Sequence, residues 1–128
     1  MDHLFGGKGN DTFEPMGAPD AVDGGEGIDT VSFALSPRPV TVDLRSGFAT
    51  GDGADTIIAI ENVIGSPGTD LLRGDAQANR FLGGGGGDFI EAFEGDDFLD
   101  GEDGHDTLDG GAGTDECRNG EITFDCEP

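Results

Sequence analysis

Residues 65–118 read GSPGTDLLR, GDAQANRFL, GGGGGDFIE, AFEGDDFLD, GEDGHDTLD and GGAGTDECR, six consecutive nine-residue frames without a gap. The same beat runs earlier as GGKGNDTFE from Gly6, PMGAPDAVD from Pro15 and GGEGIDTVS from Gly24. In every frame the sixth place carries a side-chain oxygen: Asp11, Asp20, Asp29, Asp70, Asn79, Asp88, Asp97, Asp106 and Asp115. The eighth place is apolar throughout: Phe13, Val22, Val31, Leu72, Phe81, Ile90, Leu99, Leu108 and Cys117. A short fixed period of this kind specifies a stacked solenoid, not an ordinary globule.

The physical reading of one frame gives the coil. Six residues that are mostly glycine turn tightly and point carbonyls inward but fill no core. The remaining three, with one central apolar residue, suit a very short strand. Loop and strand together reverse the chain, so two frames make a coil of eighteen residues, and residues i and i+18 stack at about 4.8 Å. Asp70, Asp88 and Asp106 then share one column, with Asn79, Asp97 and Asp115 in the opposite one. Asp11 and Asp29 share a column, with Asp20 across from them.

Columns of carboxylates this close repel one another unless cations lie between the rungs. Carboxylates with backbone carbonyls form an all-oxygen shell, which suits a hard ion taking six to eight ligands at about 2.3–2.6 Å. That shell describes Ca²⁺ better than Mg²⁺, and the want of paired His or Cys ligands disfavours Zn²⁺. The expected ligand-bearing residues are Gly6, Gly7, Gly9 and Asp11, with Gly24, Gly25, Gly27 and Asp29. In the second block they are Asp70, Asn79, Gly83, Gly84, Gly86, Asp88, Asp97, Gly101, Gly104, Asp106, Gly110, Gly111, Gly113 and Asp115. By motif quality, the best inter-rung positions are Asp70–Asp88, Asp88–Asp106 and Asp11–Asp29. The column through Asn79 and the Ala92-Phe93 loop is poorer, and PMGAPD is a candidate turn without an ion.

Frames such as GGKGNDTFE and GGEGIDTVS resemble the G-G-x-G-x-D-x-U-x nonapeptide of the repeats-in-toxin (RTX, hemolysin-type) calcium-binding proteins. The run IENVIGSPGTDLLRGDAQAN is similar to the start of the β-roll in serralysin-like proteases and alginate-epimerase modules. The resemblance covers about 6–32 and 56–118. It implies an all-β, right-handed parallel β-roll with several Ca²⁺ ions between glycine loops one coil apart. It also implies a secreted region that is disordered without calcium and folded with it.

Composition fits that reading. The chain has 128 residues, 28 acidic against 6 basic, a formal charge of −22, 25 glycines and neither Trp nor Tyr. Self-repulsion of this size favours disorder unless cations neutralise it, so folding is expected to be coupled to ion binding. An acidic chain repels nucleic acid and anionic membranes. No apolar run approaches the roughly 18 residues of a membrane span, and Met1-Asp2-His3 does not open a signal peptide. Asp2 and Leu4 sit where the sixth and eighth places of a preceding frame would fall, so the chain is expected to begin within an array.

One β-roll domain over 1–128 is expected, with repeat blocks at 6–32 and 65–118. Residues 33–64 break the beat. Pro37 and Pro39 exclude a helix, Val40, Val42 and Leu44 alternate as a half-buried strand, and Ser46-Gly47 reads as a two-residue turn into Phe48. Thr56–Ile64 reads as a rung without a glycine loop, with Glu61 in the sixth place and Val63 in the eighth. Asn119-Gly120 signals a hairpin in a C-terminal cap over 119–128. A Cys117–Cys126 disulfide there would add about 2–3 kcal/mol and imply an oxidising compartment. In a simple hairpin Ile122, not Cys126, faces Cys117, so the tail must bend back.

Rival motifs fail on spacing. DGEDGHDTLDGG from Asp100 lacks EF-hand spacing and flanking helices; GGKG lacks the Ser or Thr of a phosphate loop. His3 and His105 are single and distant. Every candidate acid or base belongs to a metal column, so no enzyme is expected. The leading function is calcium binding that folds and stabilises a secreted, monomeric protein or module. The alternative is an accessory module of a larger secreted enzyme or adhesin that binds polysaccharide or a surface. Arg38, Arg45, Arg73, Arg80 and Arg118 give the alternative thin support, and the FDCEP end is unlike an uncapped apolar secretion signal.

Overall fold

A computed structural model describes residues 1–127 as strands and loops, with no helix. Two sheets face each other. The long sheet contains β1 (His3–Lys8), β3 (Ala21–Glu26), β5 (Thr41–Asp43), β6 (Phe48–Thr50), β7 (Ala54–Ile58), β9 (Leu71–Arg73), β11 (Phe89–Glu91), β13 (Thr107–Asp109) and β15 (Ile122–Phe124). The short sheet contains β2 (Thr12–Phe13), β4 (Thr30–Ser32), β8 (Asn62–Ile64), β10 (Arg80–Leu82), β12 (Phe98–Asp100) and β14 (Glu116–Arg118). Outside residues 33–58 the chain alternates between the sheets. Parallel partners such as Ile90 and Leu108, or Phe81 and Leu99, lie eighteen residues apart. This is the expected parallel β-roll.

The three-residue strands follow from the frame: the eighth place points inward and its neighbours point out. Val31, Val63, Leu72, Phe81, Ile90, Leu99 and Leu108 are fully buried in the row between the sheets. A core one side chain wide per strand leaves little apolar area per residue. The loops must therefore supply part of the stability.

Residues 33–58 interrupt the alternation between the sheets. β5 and β6 pair antiparallel, as do β6 and β7, so the chain makes a three-strand meander inside the long sheet. The short sheet has no counterpart to β5 and β6: β8 lies directly beside β10. The turn between β5 and β6 spans Leu44–Gly47, four residues instead of the expected two. The Asp43 carboxylate accepts the N–H groups of Arg45 and Ser46, and Gly47 N–H donates to Asp43 O at 2.9 Å.

The C-terminal cap is not a hairpin. β14 and β15 lie in different sheets, and β15 pairs parallel with β13, Thr107 beside Ile122. Asn119-Gly120 instead carries the chain across to the long sheet. The cysteines meet as expected: Cys117 and Cys126 form a disulfide with Cα atoms 5.8 Å apart.

Candidate metal centre

Successive loops on each side of the roll are tied by their sixth places. Asp11 N–H donates to Asp29 Oδ1 at 2.7 Å, Asp70 N–H to Asp88 at 2.8 Å and Asp88 N–H to Asp106 at 2.7 Å. On the opposite side Asn79 N–H donates to Asp97 at 2.7 Å and Asp97 N–H to Asp115 at 2.8 Å. Each carboxylate thus spends Oδ1 on the preceding rung. The two columns are those the spacing predicts.

What happens to Oδ2 divides the loops into two kinds. In Asp11, Asp29, Asp88, Asp97, Asp106 and Asp115 it is buried and receives no hydrogen bond. In loop 65–70 Asp70 Oδ2 accepts Ser66 N–H at 2.6 Å, and Ser66 Oγ donates to Oδ1 at 2.6 Å. In loop 74–79 Asn79 Oδ1 accepts Asp75 N–H at 3.0 Å.

Among these eight loops the second place separates the two kinds. In all six loops with a free Oδ2 it is left-handed. Gly7, Gly25, Gly84 and Gly111 have φ of 90, 89, 98 and 84°, and Phe93 and Glu102 have 78 and 65°. Ser66 and Asp75 lie outside that region, and their N–H groups fold onto their own sixth-place side chain. Left-handed backbone costs a non-glycine residue about 1–2 kcal/mol. Such strain persists where surrounding structure enforces it, and it concentrates at functional sites.

An uncompensated buried carboxylate is expensive, and it responds by holding its proton. Burial pushes Asp88 up to about 7, with the charges of Asp70, Asp106 and Glu102 adding to it and the Asp70 N–H opposing. Burial likewise pushes Asp97 up to about 7, against the Asn79 N–H and helped by Asp115 and Asp75. Asp106 and Asp115 are raised for the same first reason, and so are Asp70 and Asp55.

The donor set fits a hard cation. Among the described residues no three His, Cys, Asp or Glu side chains converge, so loop carbonyls would have to complete a shell here. The first-place glycines keep room at the carboxylate: a Cβ on Gly6 would lie 2.5 Å from Asp11 Oδ2, and one on Gly24 2.5 Å from Asp29 Oδ2. At the fourth place a Cβ on Gly27 would strike the Gly9 carbonyl of the loop one coil away.

The expected residues therefore assemble in pairs. Gly6, Gly7, Gly9 and Asp11 face Gly24, Gly25, Gly27 and Asp29. Gly83, Gly84, Gly86 and Asp88 face Gly101, Gly104 and Asp106. Asp97 faces Gly110, Gly111, Gly113 and Asp115. Asp70 and Asn79 stand in their columns with the second acceptor already used.

Other participants lie outside the expected set of ligand-bearing residues. Asp55 accepts Asp20 N–H at 2.8 Å and is a sixth-place residue of the frame TGDGADTII, residues 50–58, where Gly51 and Gly53 supplied a readable signal. Glu61, Glu121 and Glu127 accept the N–H groups of Asp29, Asp106 and Asp115 at 2.8, 2.7 and 2.6 Å. Of these three only Glu61 is recognisable from the period.

Comparison with known families agrees with this geometry. The family described as RTX calcium-binding nonapeptide repeat (4 copies) matches residues 2–31, 60–90 and 83–117, more than half of the chain. No curated protein matches the chain. The repeats bring calcium as the ligand, and the chain belongs to the RTX calcium-binding nonapeptide repeat family.

Proposed function

We propose that this chain is a calcium-triggered folding module that works outside the cell, with calcium held first at three positions. These are Asp11–Asp29, Asp88–Asp106 and Asp97–Asp115, each a pair of facing loops whose Oδ2 atoms are both buried and free. That observation carries the reading. It ranks the Ala92-Phe93 loop among the best and Asp70–Asp88 below it, an order different from the one motif quality suggests.

The mechanism is charge replacement. Without the ion, each pair keeps its shape only by holding protons or by paying repulsion across adjacent rungs. The free Oδ2 atoms and the loop carbonyls would hold the ion, whose charge would offset part of the −22. Ordering one loop fixes the strands on both sides, so binding and folding become one event. Sites of extracellular modules bind calcium at roughly 10⁻⁴–10⁻³ M. A chain tuned to that range stays pliable where calcium is scarce and locks where it is plentiful. The disulfide supports an oxidising destination.

We assign the chain no catalytic role, because its buried carboxylates all lie in the two columns. The accessory-module reading ranks second. Arg80 and Arg118 flank the Phe98 ring at 4.6 and 5.2 Å on the outer face of the short sheet. Glu116 already pairs with Arg118 at 2.6 Å, which leaves a polyanion little to hold.

A far-UV circular dichroism titration of the chelator-stripped chain with Ca²⁺, and with Mg²⁺ as control, tests the first reading. The expected result is a cooperative gain of β signal between submillimolar and millimolar Ca²⁺ and none with Mg²⁺. A stripped chain already folded and indifferent to Ca²⁺ would overturn it.

A further inference from the structure

Among the described residues, three turns of this roll are built alike and unlike the glycine loops. Ala59-Ile60-Glu61, Asn119-Gly120-Glu121 and Asp125-Cys126-Glu127 each have three residues where a full frame has six. Each opens on a left-handed non-glycine residue: Ala59, Asn119 and Asp125 have φ of 54, 53 and 47°. Each places a glutamate third, and that glutamate grips the peptide of an aspartate one rung away from both sides. The N–H groups of Asp29, Asp106 and Asp115 donate to the carboxylates of Glu61, Glu121 and Glu127. In return the N–H groups of Glu61, Glu121 and Glu127 donate to the carbonyls of Asp29, Asp106 and Asp115 at 3.1, 3.1 and 2.8 Å.

Glutamate is one methylene longer than aspartate, and a turn three residues shorter starts farther from the column. The longer side chain restores the acceptor position. What the short turn lacks is a run of glycine carbonyls at the second to fourth places. No three acidic side chains converge among the described residues, so a cation shell is completed by such carbonyls. A rung ending in a short turn supplies only its opening carbonyl, that of Ala59, Asn119 or Asp125, which faces the first-place glycine one rung away.

We propose that the left-handed x-x-Glu turn is a terminator of the ion column. It completes the backbone of the last ion-bearing aspartate while offering no half-shell of its own, so Glu61, Glu121 and Glu127 are positioning residues and not ligands. This rests on the calcium reading above. It divides one side of the roll at Glu61 into separate ion segments and closes the two sides at Glu121 and Glu127.

Native mass spectrometry of the full chain in Ca²⁺, with calorimetric titration alongside, counts the ions. Glu127→Gln keeps the acceptor and removes the charge. It is expected to retain the parent's ion count and to bind Ca²⁺ within about twofold of it. Glu127→Ala removes the acceptor and is expected to weaken one ion about tenfold, leaving the others unchanged. Replacing Asn119-Gly120-Glu121 by Gly-Gly-Ala-Gly-Thr-Asp, the loop found at 110–115, is expected to add one ion. Loss of an ion in Glu127→Gln from a parent that binds calcium overturns the terminator alone. A parent that binds no Ca²⁺ overturns the calcium reading and the terminator with it.

Discussion

Ser66 holds Asp70 by two hydrogen bonds, N–H to Oδ2 and Oγ to Oδ1, both at 2.6 Å. The loop is thereby satisfied without an ion, and its aspartate is spent. Ser66→Gly releases both contacts and allows the left-handed second place of the open loops. The expected outcome is one additional Ca²⁺ at Asp70–Asp88, counted by calorimetry. The metal-free chain should lose about 1–2 kcal/mol in chemical denaturation.

Arg45 lies over the Phe93 ring at 4.1 Å and pairs with Glu94 at 2.9 Å. It reaches from the meander to loop 92–97 and holds a strained residue in a glycine conformation. A stacked cation of this kind is worth about 0.5–1 kcal/mol. Arg45→Ala should therefore weaken calcium at Asp97–Asp115 by about two- to fivefold. Phe93→Gly removes the strain, and in that background Arg45→Ala should have no effect. A double-mutant cycle on the calcium midpoint reads the coupling directly.

Protons compete with the ion. Burial pushes the Asp88 and Asp97 carboxyls up to about 7, well above the ordinary carboxylate value of about 4. The folded state therefore binds more protons than the unfolded one between those values. Their contribution to metal-free stability is fully present below about 4 and is lost as pH rises through about 7. With chelator, β signal should fall from pH 5 to pH 8. Over the same range the calcium midpoint should drop, by up to about tenfold per pH unit for each proton displaced.

Reduction of Cys117–Cys126 frees the last turn. A nine-residue separation predicts a loss of about 2–3 kcal/mol. Hydrogen exchange should quicken over 119–127 and around Asp115, whose N–H is held by Glu127. Protection at Asp11 and Asp29 should stay unchanged. Uniform loss along the chain would show that the coils unfold as one unit.

The repeat exposed most of this architecture because a fixed period places each carboxylate and apolar residue without reference to anything distant. The parts it hid are those where the period changes. TGDGADTII opens on threonine and lies inside the meander, so its Asp55 is out of phase with the frames before it. Glu121 and Glu127 follow six-residue spacings inside a nine-residue pattern. The left-handed second place of Phe93 and Glu102 leaves no trace in the residue type, because neighbours enforce it. The Asn119-Gly120 hairpin failed for a related reason: parallel pairing with Thr107–Asp109 continues the stack, and a local turn preference does not outweigh it.

Alternation between the two sides has a consequence for how such sequences are inherited. Partners lie eighteen residues apart, so gain or loss of eighteen leaves every later aspartate in its own column. Gain or loss of nine sends all of them to the other side and moves Cys117 to the other sheet. A three-residue loss, as at Ala59-Ile60-Glu61, is harmless to this parity because the chain still crosses to the opposite sheet. Duplications in pairs of frames, trims of three within a turn, and a meander that stays within one sheet, as at 33–58, all preserve the two columns.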